Sequence, residues 1–261
     1  MLKIRTAVLR RRVRFACLAA LLFASAVLSV ASAQTAPENQ YYSRVNTFGF
    51  FAAYSNDSSQ MLLGTADKRK LLNFGATYER RIYMNHIVNW QYNAELLPVA
   101  LESDPLGYIT QKQVTPTPES FTYSAGALLT CTPHTVPYSV KDQNGTVYSG
   151  TQTYFCRGRD WNIGEAMSPV GFQWNFRPRH TLQPFLIGHG GYMYSTHPIP
   201  VQEAGSFNFT FDIGAGIELY RTAHQSIRAE YRYHHISNDW TAYANPGIDN
   251  GLFQVTYAFG R

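Results

Sequence analysis

Between Phe207 and Tyr220 the chain alternates with a period of two. Phe207, Phe209, Phe211, Ile213, Ala215, Ile217 and Leu219 share one parity, and Asn208, Thr210, Asp212, Gly214, Gly216 and Glu218 share the other. Successive strand residues point to opposite faces, so this pattern specifies a strand with one apolar and one polar face. It runs longer than a typical globular strand, and its polar face carries ionisable groups and glycines. That combination fits the wall of a small closed barrel whose outside meets lipid and whose inside is polar.

The pattern recurs. Val88, Trp90, Tyr92, Ala94 and Leu96 oppose Asn89, Gln91, Asn93 and Glu95, while Leu72, Phe74, Ala76 and Tyr78 oppose Asn73, Gly75, Thr77 and Glu79. Val170, Phe172, Trp174 and Phe176 share a parity against Gly171, Gln173 and Asn175. We place eight strands near residues 45–55, 70–83, 87–101, 161–178, 182–195, 206–220, 225–238 and 250–259. The first and fifth have the weakest alternation, blurred by Phe50-Phe51-Ala52-Ala53 and Phe185-Leu186-Ile187. A soluble β-sandwich also has period two, but with shorter strands and a more charged outer face. The expected fold is therefore all-β, an eight-stranded antiparallel transmembrane β-barrel.

The first 33 residues read as a secretory signal that is removed. Lys3, Arg5, Arg10, Arg11, Arg12 and Arg14 precede the apolar stretch from Phe15 to Val30, and Ala31-Ser32-Ala33 supplies a small-residue cleavage pattern. The full sequence has 22 basic and 17 acidic residues. The leader holds six of the bases and none of the acids, so residues 34–261 form a nearly neutral single domain. The basic excess is a targeting feature, and nucleic acid is excluded as an expected partner. No long apolar run follows the leader, which argues against a helical membrane protein.

Links after the second, fourth and sixth strands are tight, whereas those after the first, third, fifth and seventh are longer. Outer-membrane barrels keep short turns in the periplasm and long loops outside. The ends of the seventh strand and the start of the eighth are thereby placed at the outer surface. The longest outer segment spans residues 102–160 and contains Cys131 and Cys156, the only cysteines beyond the leader. An oxidising compartment favours their pairing. Asn144-Gly145 between them signals a type I′ turn, giving a disulfide-stapled hairpin.

In the seventh strand Ile227, Ala229, Tyr231, Tyr233, His235 and Ser237 share one parity, and Arg228, Glu230, Arg232 and His234 the other. The charged set belongs to the lumen, so His235 and Ser237 point outward. Asp249 shares parity with Phe253, Val255, Tyr257 and Phe259 and points outward too. A base, a hydroxyl and a carboxylate thus share the lipid side of neighbouring strands, where a purely structural barrel gains nothing from them. His235 suits the role of base to Ser237, and Asp249 could fix its tautomer. Asn245, or a backbone N–H of the Asn238–Trp240 turn, could donate to a developing oxyanion. His234 faces the opposite way from His235, so the two are not a ligand pair, and no metal or other cofactor is called for.

With these residues in view, the last thirty positions resemble the outer-membrane lipid A 3-O-deacylases of the PagL type. That family is an eight-stranded barrel with a His-x-Ser motif on one strand and an acidic residue at the next. The resemblance implies that His235 is the base, Ser237 the nucleophile, Asn245 the oxyanion-hole amide and Asp249 the acid. It also implies an outer-membrane esterase whose partner is lipid A of the lipopolysaccharide among the outer-membrane lipids, releasing a 3-hydroxy fatty acid. A homodimer is compatible with the sequence but not indicated by it. The sequence departs from the family in four respects. The typical acid is Glu, the small residues after Ser-Asn are here Asp239 and Trp240, the 102–160 segment has no counterpart in compact members, and the chain ends on Arg261.

The competing expectation is a non-catalytic barrel, an adhesin or structural protein, in which His235 and Ser237 are rim polarity. A palmitoyltransferase-like enzyme would need an apolar lumen, and a calcium-dependent phospholipase would need more strands than this chain supplies.

Overall fold

The computed structural model describes residues 41–261. The expected signal peptide, residues 1–33, lies outside them. Ten strands form one antiparallel sheet: β1 (Asn46–Ser55), β2 (Lys70–Met84), β3 (Val88–Thr115), β4 (Glu119–Ala127), β5 (His134–Lys141), β6 (Val147–Phe176), β7 (Leu182–Ser195), β8 (Phe207–Thr222), β9 (Gln225–Ser237) and β10 (Ile248–Gly260). Eight of them close a ring, because β1 pairs with β10 and β3 pairs with β6 in addition to the neighbour pairings. The structure is the all-β barrel that the alternation predicts, and closure leaves the ring without an open edge.

The alternation holds in three dimensions. On β8, Phe207, Phe209, Phe211, Ile213, Ile217 and Leu219 are exposed, while Asn208, Asp212 and Glu218 are buried. The outside is an apolar and aromatic belt; the inside is filled by paired charges. Arg228 bonds Glu79 and, at 2.8 Å, Gln173. Arg44, just before β1, enters the same layer and reaches Glu218 at 2.7 Å. Higher up, Arg232 lies 2.8 Å from Glu95 and 3.0 Å from Glu230. Nearer the long-loop end the interior turns apolar, with Leu71, Leu97, Ala166, Met193, Ile236, Ile248 and Leu252 in one buried cluster. The polar lumen inferred from sequence is thus interrupted there by an apolar layer, while Ser55, Arg69, Glu102 and Asn250 keep buried polar groups at the same end.

The two blurred strands have a local cause. Phe51 on β1 and Phe185 on β7 point inward and are almost fully buried. Each ring lies where a side chain on the facing strand would collide with it, Phe51 over Gly75 and Phe185 over Gly216. The pleat remains regular; two aromatics occupy lumen positions that glycines leave open.

The 102–160 segment differs from the expected loop. β3 and β6 contain 28 and 30 residues, so they are about 90–100 Å long at a strand's rise per residue, well beyond the bilayer core of about 30 Å. Their upper halves pair with each other, with β4 flanking β3 and β5 flanking β6. The result is a four-stranded sheet, β4-β3-β6-β5, standing above the barrel. Cys131 and Cys156 form a disulfide with Cα atoms 5.4 Å apart at the base of the β5–β6 hairpin. The hairpin turn also differs. Gly145 has φ +86° and Asn144 is not left-handed. The Gly145 N–H donates to the Asp142 carbonyl at 3.1 Å. This is a tight turn completed by one left-handed glycine rather than the type I′ pair, which needs two.

Candidate active site at the outer rim

The β9–β10 register sets Asp249 directly opposite His235, with Gly251 opposite Tyr233 and Phe253 opposite Tyr231 in the rows below. On the other side of β9, His235 faces Phe211 and Ser237 faces Phe209. All these residues share the outward parity of the belt. The His235 Nδ1 lies 2.6 Å from Asp249 Oδ1. His234 takes the opposite direction, its Nδ1 4.0 Å from lumen Asp212. Direct opposition across one ladder explains how the shorter acid reaches the imidazole, since facing Cα atoms lie only about 5 Å apart.

Asp249 is held from every side. Its Oδ1 also accepts the Tyr233 hydroxyl at 2.8 Å. Its Oδ2 accepts the backbone N–H groups of Leu62 and Leu63 at 2.8 and 2.9 Å. These come from residues 56–69, the connection between β1 and β2, which folds against the start of β10. The Ser59 N–H reaches the Asp249 carbonyl at 3.2 Å, and the Thr65 N–H reaches the Pro246 carbonyl at 2.6 Å. Gly64 sits so close that a β-carbon there would lie 3.0 Å from the carboxylate carbon of Asp249. Gly247 has φ +62°, and a side chain on it would meet the His235 ring edge at 3.0 Å. Two absent side chains therefore let two backbones close around the pair, and Asp249 becomes fully buried although it faces outward.

Ser237 lies one pleat beyond His235 on the same face, which puts the two Cα atoms about 6–7 Å apart. Among the described residues its hydroxyl makes no hydrogen bond, with His235 or any other group, and it stays partly accessible. The structure brings His235 and Asp249 into contact and leaves Ser237 beside them with its hydroxyl uncommitted.

Beyond Ser237 the chain turns through Asp239 and Trp240, both left-handed at φ +50° and +60°. The small residues usual after Ser-Asn would suit that conformation, and here two larger residues adopt it. The Asn238 side-chain amide donates to the carbonyls of Ala204 and Ala244, at 2.5 and 2.6 Å, and its backbone N–H donates to Asn245 Oδ1 at 3.1 Å. Asn238 is thus a tether for the turn, with both kinds of N–H in use. That last bond orients Asn245 with its Nδ2 donor free of partners among the described residues. The Trp240 N–H is also engaged, by Asn238 Oδ1 at 2.9 Å.

The sequence reading missed Tyr233, Leu62 and Leu63. Tyr233 had the right parity, two residues from His235, and could have been found that way. Leu62 and Leu63 contribute only main-chain donors, for which no side-chain signature exists.

A cluster of Glu95, His189 and Asp212 in the lumen has ligand-like spacing. All three are engaged by Arg232 or by each other, with Arg232 bonding Glu95 at 2.8 Å and His189 bonding Asp212 at 2.9 Å. The guanidinium occupies the place a cation would take.

Solved outer-membrane proteins align with the chain along most of their length. The crystal structure of the outer membrane enzyme PagL aligns over 82% of this chain and 99% of its own, at 13% identity and a TM-score of 0.44. The crystal structure of neisserial surface protein A aligns over 83% and 97%, at 11% identity and a TM-score of 0.38. At such scores these likenesses carry no weight for function. No curated protein sequence matches the chain. Residues 121–258 match the family model described as lipid A 3-O-deacylase (PagL). That match spans more than half of the chain, including every residue of the site from Ser237 to Asp249, and the protein therefore belongs to the lipid A 3-O-deacylase (PagL) family, as a lipid A deacylase of the outer membrane.

Proposed function

We propose that this chain hydrolyses the 3-O-linked hydroxyacyl ester of lipid A through Ser237, His235 and Asp249. The observation that carries the reading is the 2.6 Å contact between His235 Nδ1 and Asp249 on the lipid-facing side of the outer rim. Asp249 accepts a hydrogen bond from Nδ1–H, which leaves Nε2 as the basic nitrogen, and as a carboxylate it stabilises the imidazolium formed in the reaction. His235 Nε2 takes the proton of Ser237 as Oγ attacks the ester carbonyl. The carbonyl oxygen becomes an oxyanion, to which Asn245 Nδ2 donates; such a donor is typically worth about 3 kcal/mol. Collapse expels the sugar 3-hydroxyl, which takes its proton from His235. Water, deprotonated by the same imidazole, then attacks the acyl-serine, and Ser237 Oγ leaves with that proton returned to it by His235, releasing the 3-hydroxy fatty acid.

The neighbourhood suits a lipid ester. Phe209 and Phe211 stand beside Ser237 and His235 with their rings exposed on the outer surface. The substrate's acyl chain would lie along this wall and its sugar above it.

Mass spectrometry of lipid A from cells expressing the protein tests the reading. Wild type should remove one hydroxyacyl mass, and Ser237→Ala should leave lipid A intact while folding as a barrel. An unchanged spectrum with folded wild type would remove the esterase reading; loss of an acyl group from another position would retain the enzyme and correct its regiochemistry.

A further inference from the structure

The connection between β1 and β2 has a property that the hydrolytic chemistry does not require. Met61, Leu62 and Leu63 are consecutive, apolar and exposed, with Leu62 75% and Leu63 64% accessible. Apolar residues at the tip of a connection that is otherwise polar, Asn56-Asp57-Ser58-Ser59-Gln60 before them and Asp67-Lys68-Arg69 after, gain nothing from water. Their main-chain N–H groups are nevertheless the two that hold Asp249 Oδ2. The loop is fixed at both ends. Asn250 Nδ2 bonds the carbonyls of Asn56 and Arg69 at 2.9 and 3.0 Å, and Ala66 bridges Ile248. On its far side Asp67 accepts from the Cys131 N–H and the Thr130 hydroxyl, both at 3.1 Å, which ties it to the disulfide-anchored segment. The tip therefore projects from a rigid base.

We propose that Leu62 and Leu63 are lipid-contacting residues that bind the acyl region of the substrate. The same dipeptide would then contact the acyl chain with its side chains and position Asp249 with its main chain. Continuity supports this occupant. The outward column below Asp249 runs through Gly251 to Phe253, which belongs to the lipid-facing belt, and Phe209 and Phe211 border the site on its other flank. An acyl ester lying over Ser237 would have the β8 aromatics on one side and the Leu62-Leu63 tip on the other. This inference rests on the deacylase reading for its substrate, but the contact with lipid can be tested without turnover.

A nitroxide placed at Leu62→Cys in the full barrel, reconstituted in phosphatidylcholine vesicles, provides that test. Relaxation by oxygen should exceed relaxation by a water-soluble nickel chelate; the reverse order would overturn the inference whether or not the protein is active. Kinetics supply the second arm, comparing lipopolysaccharide in mixed micelles with p-nitrophenyl acetate. Leu62→Ser with Leu63→Ser keeps both backbone donors and should lower the ratio of lipid to acetate kcat/KM by at least about tenfold, the least expected when even one of the two leucine burials is lost. Leu62→Met with Leu63→Met should restore the ratio. Equal losses on both substrates would also overturn it, by making the dipeptide a positioning element alone. Wild type that cleaves neither ester would instead overturn the deacylase reading, leaving the nitroxide result to decide lipid contact.

Discussion

Two charged clusters face opposite sides of the same barrel wall. Inside, Arg232 is surrounded by Glu95, Glu230 and Asp212, with His189 and Gln254 completing the network. Outside and level with a position three residues further along β9, Asp249 accepts from His235, Tyr233, Leu62 and Leu63. Each carboxylate is well supplied with donors, as burial demands. The clusters differ in what remains unused. The guanidinium of Arg232 is spent on its neighbours, whereas the imidazole of His235 has only Nδ1 engaged among the described residues, by Asp249. A saturated cluster holds a wall together; a cluster with one open valence can do chemistry on whatever arrives there.

That contrast is broken most severely by removing the open half. His235→Asn and Ser237→Ala should each lower turnover by on the order of 10⁴-fold or more, since members of such a unit fail together. Asp249→Asn should keep residual activity, because base and nucleophile remain. Stability should barely move for Ser237→Ala, as its hydroxyl bonds nothing among the described residues. Rates on lipid A measured beside urea midpoints check both halves. Wild-type rates in all three variants would leave the outer cluster without a catalytic role.

The inner cluster should respond in the opposite way. Arg232→Met leaves Glu95, Glu230 and Asp212 without their main cation and should cost about 3–5 kcal/mol of stability, the usual penalty for stranding buried charge. Adding Glu95→Gln and Glu230→Gln should recover much of it. At temperatures where the single variant stays folded, turnover should follow the folded fraction alone. A loss of activity beyond that fraction would mean that the inner and outer clusters are coupled.

The wall was readable from sequence because a membrane barrel writes its geometry into alternate residues. Parity alone placed His235, Ser237 and Asp249 outward and His234 inward. It was blurred where Phe51 and Phe185 fill lumen space left by glycines, since hydrophobicity then occurs on both parities. The sheet above the barrel was readable only in part: the stapled β5–β6 hairpin was, whereas β4 and the long extensions of β3 and β6 were not. β4 and β5 do alternate, Phe121, Tyr123 and Ala125 against Ser120, Thr122 and Ser124, and Val136, Tyr138 and Val140 against Thr135, Pro137 and Ser139. Both faces are largely exposed, so the pattern marks strands without saying what they pair with. Their pairing depends on the upper parts of β3 and β6, where Thr, Gln and Lys interrupt the apolar parity of the barrel strands. The clamp on Asp249 was hidden for another reason: a main-chain donor looks the same in every sequence, and only the path of the loop shows where it points.

Tyr233 sharpens the comparison at a smaller scale. Its hydroxyl shares Asp249 Oδ1 with His235. Tyr233→Phe keeps the ring and removes one of four donors, so about 1 kcal/mol of support for the carboxylate should be lost. If that support holds the carboxylate against the imidazole, kcat should fall about fivefold while KM stays near its wild-type value, by the usual conversion of free energy to rate. A change in KM alone would assign Tyr233 to the lipid surface instead.

The smallest expected effect concerns the turn that carries Asn245. Asp239 and Trp240 are consecutive left-handed residues that are not glycine, and each is less comfortable there than glycine would be, by about 1 kcal/mol. Asp239 faces solvent, so Asp239→Gly removes no packing and should stabilise the barrel by up to that amount. It also loosens the segment between Ser237 and Asn245, whose amide is oriented through the Asn238 N–H. Stability and turnover are then expected to move in opposite directions, with a higher unfolding midpoint and a modestly lower kcat. If kcat stays level as the midpoint rises, the turn only connects the two strands. If kcat falls, the left-handed pair is part of what aims Asn245, and conformational strain there is tolerated because it serves the oxyanion.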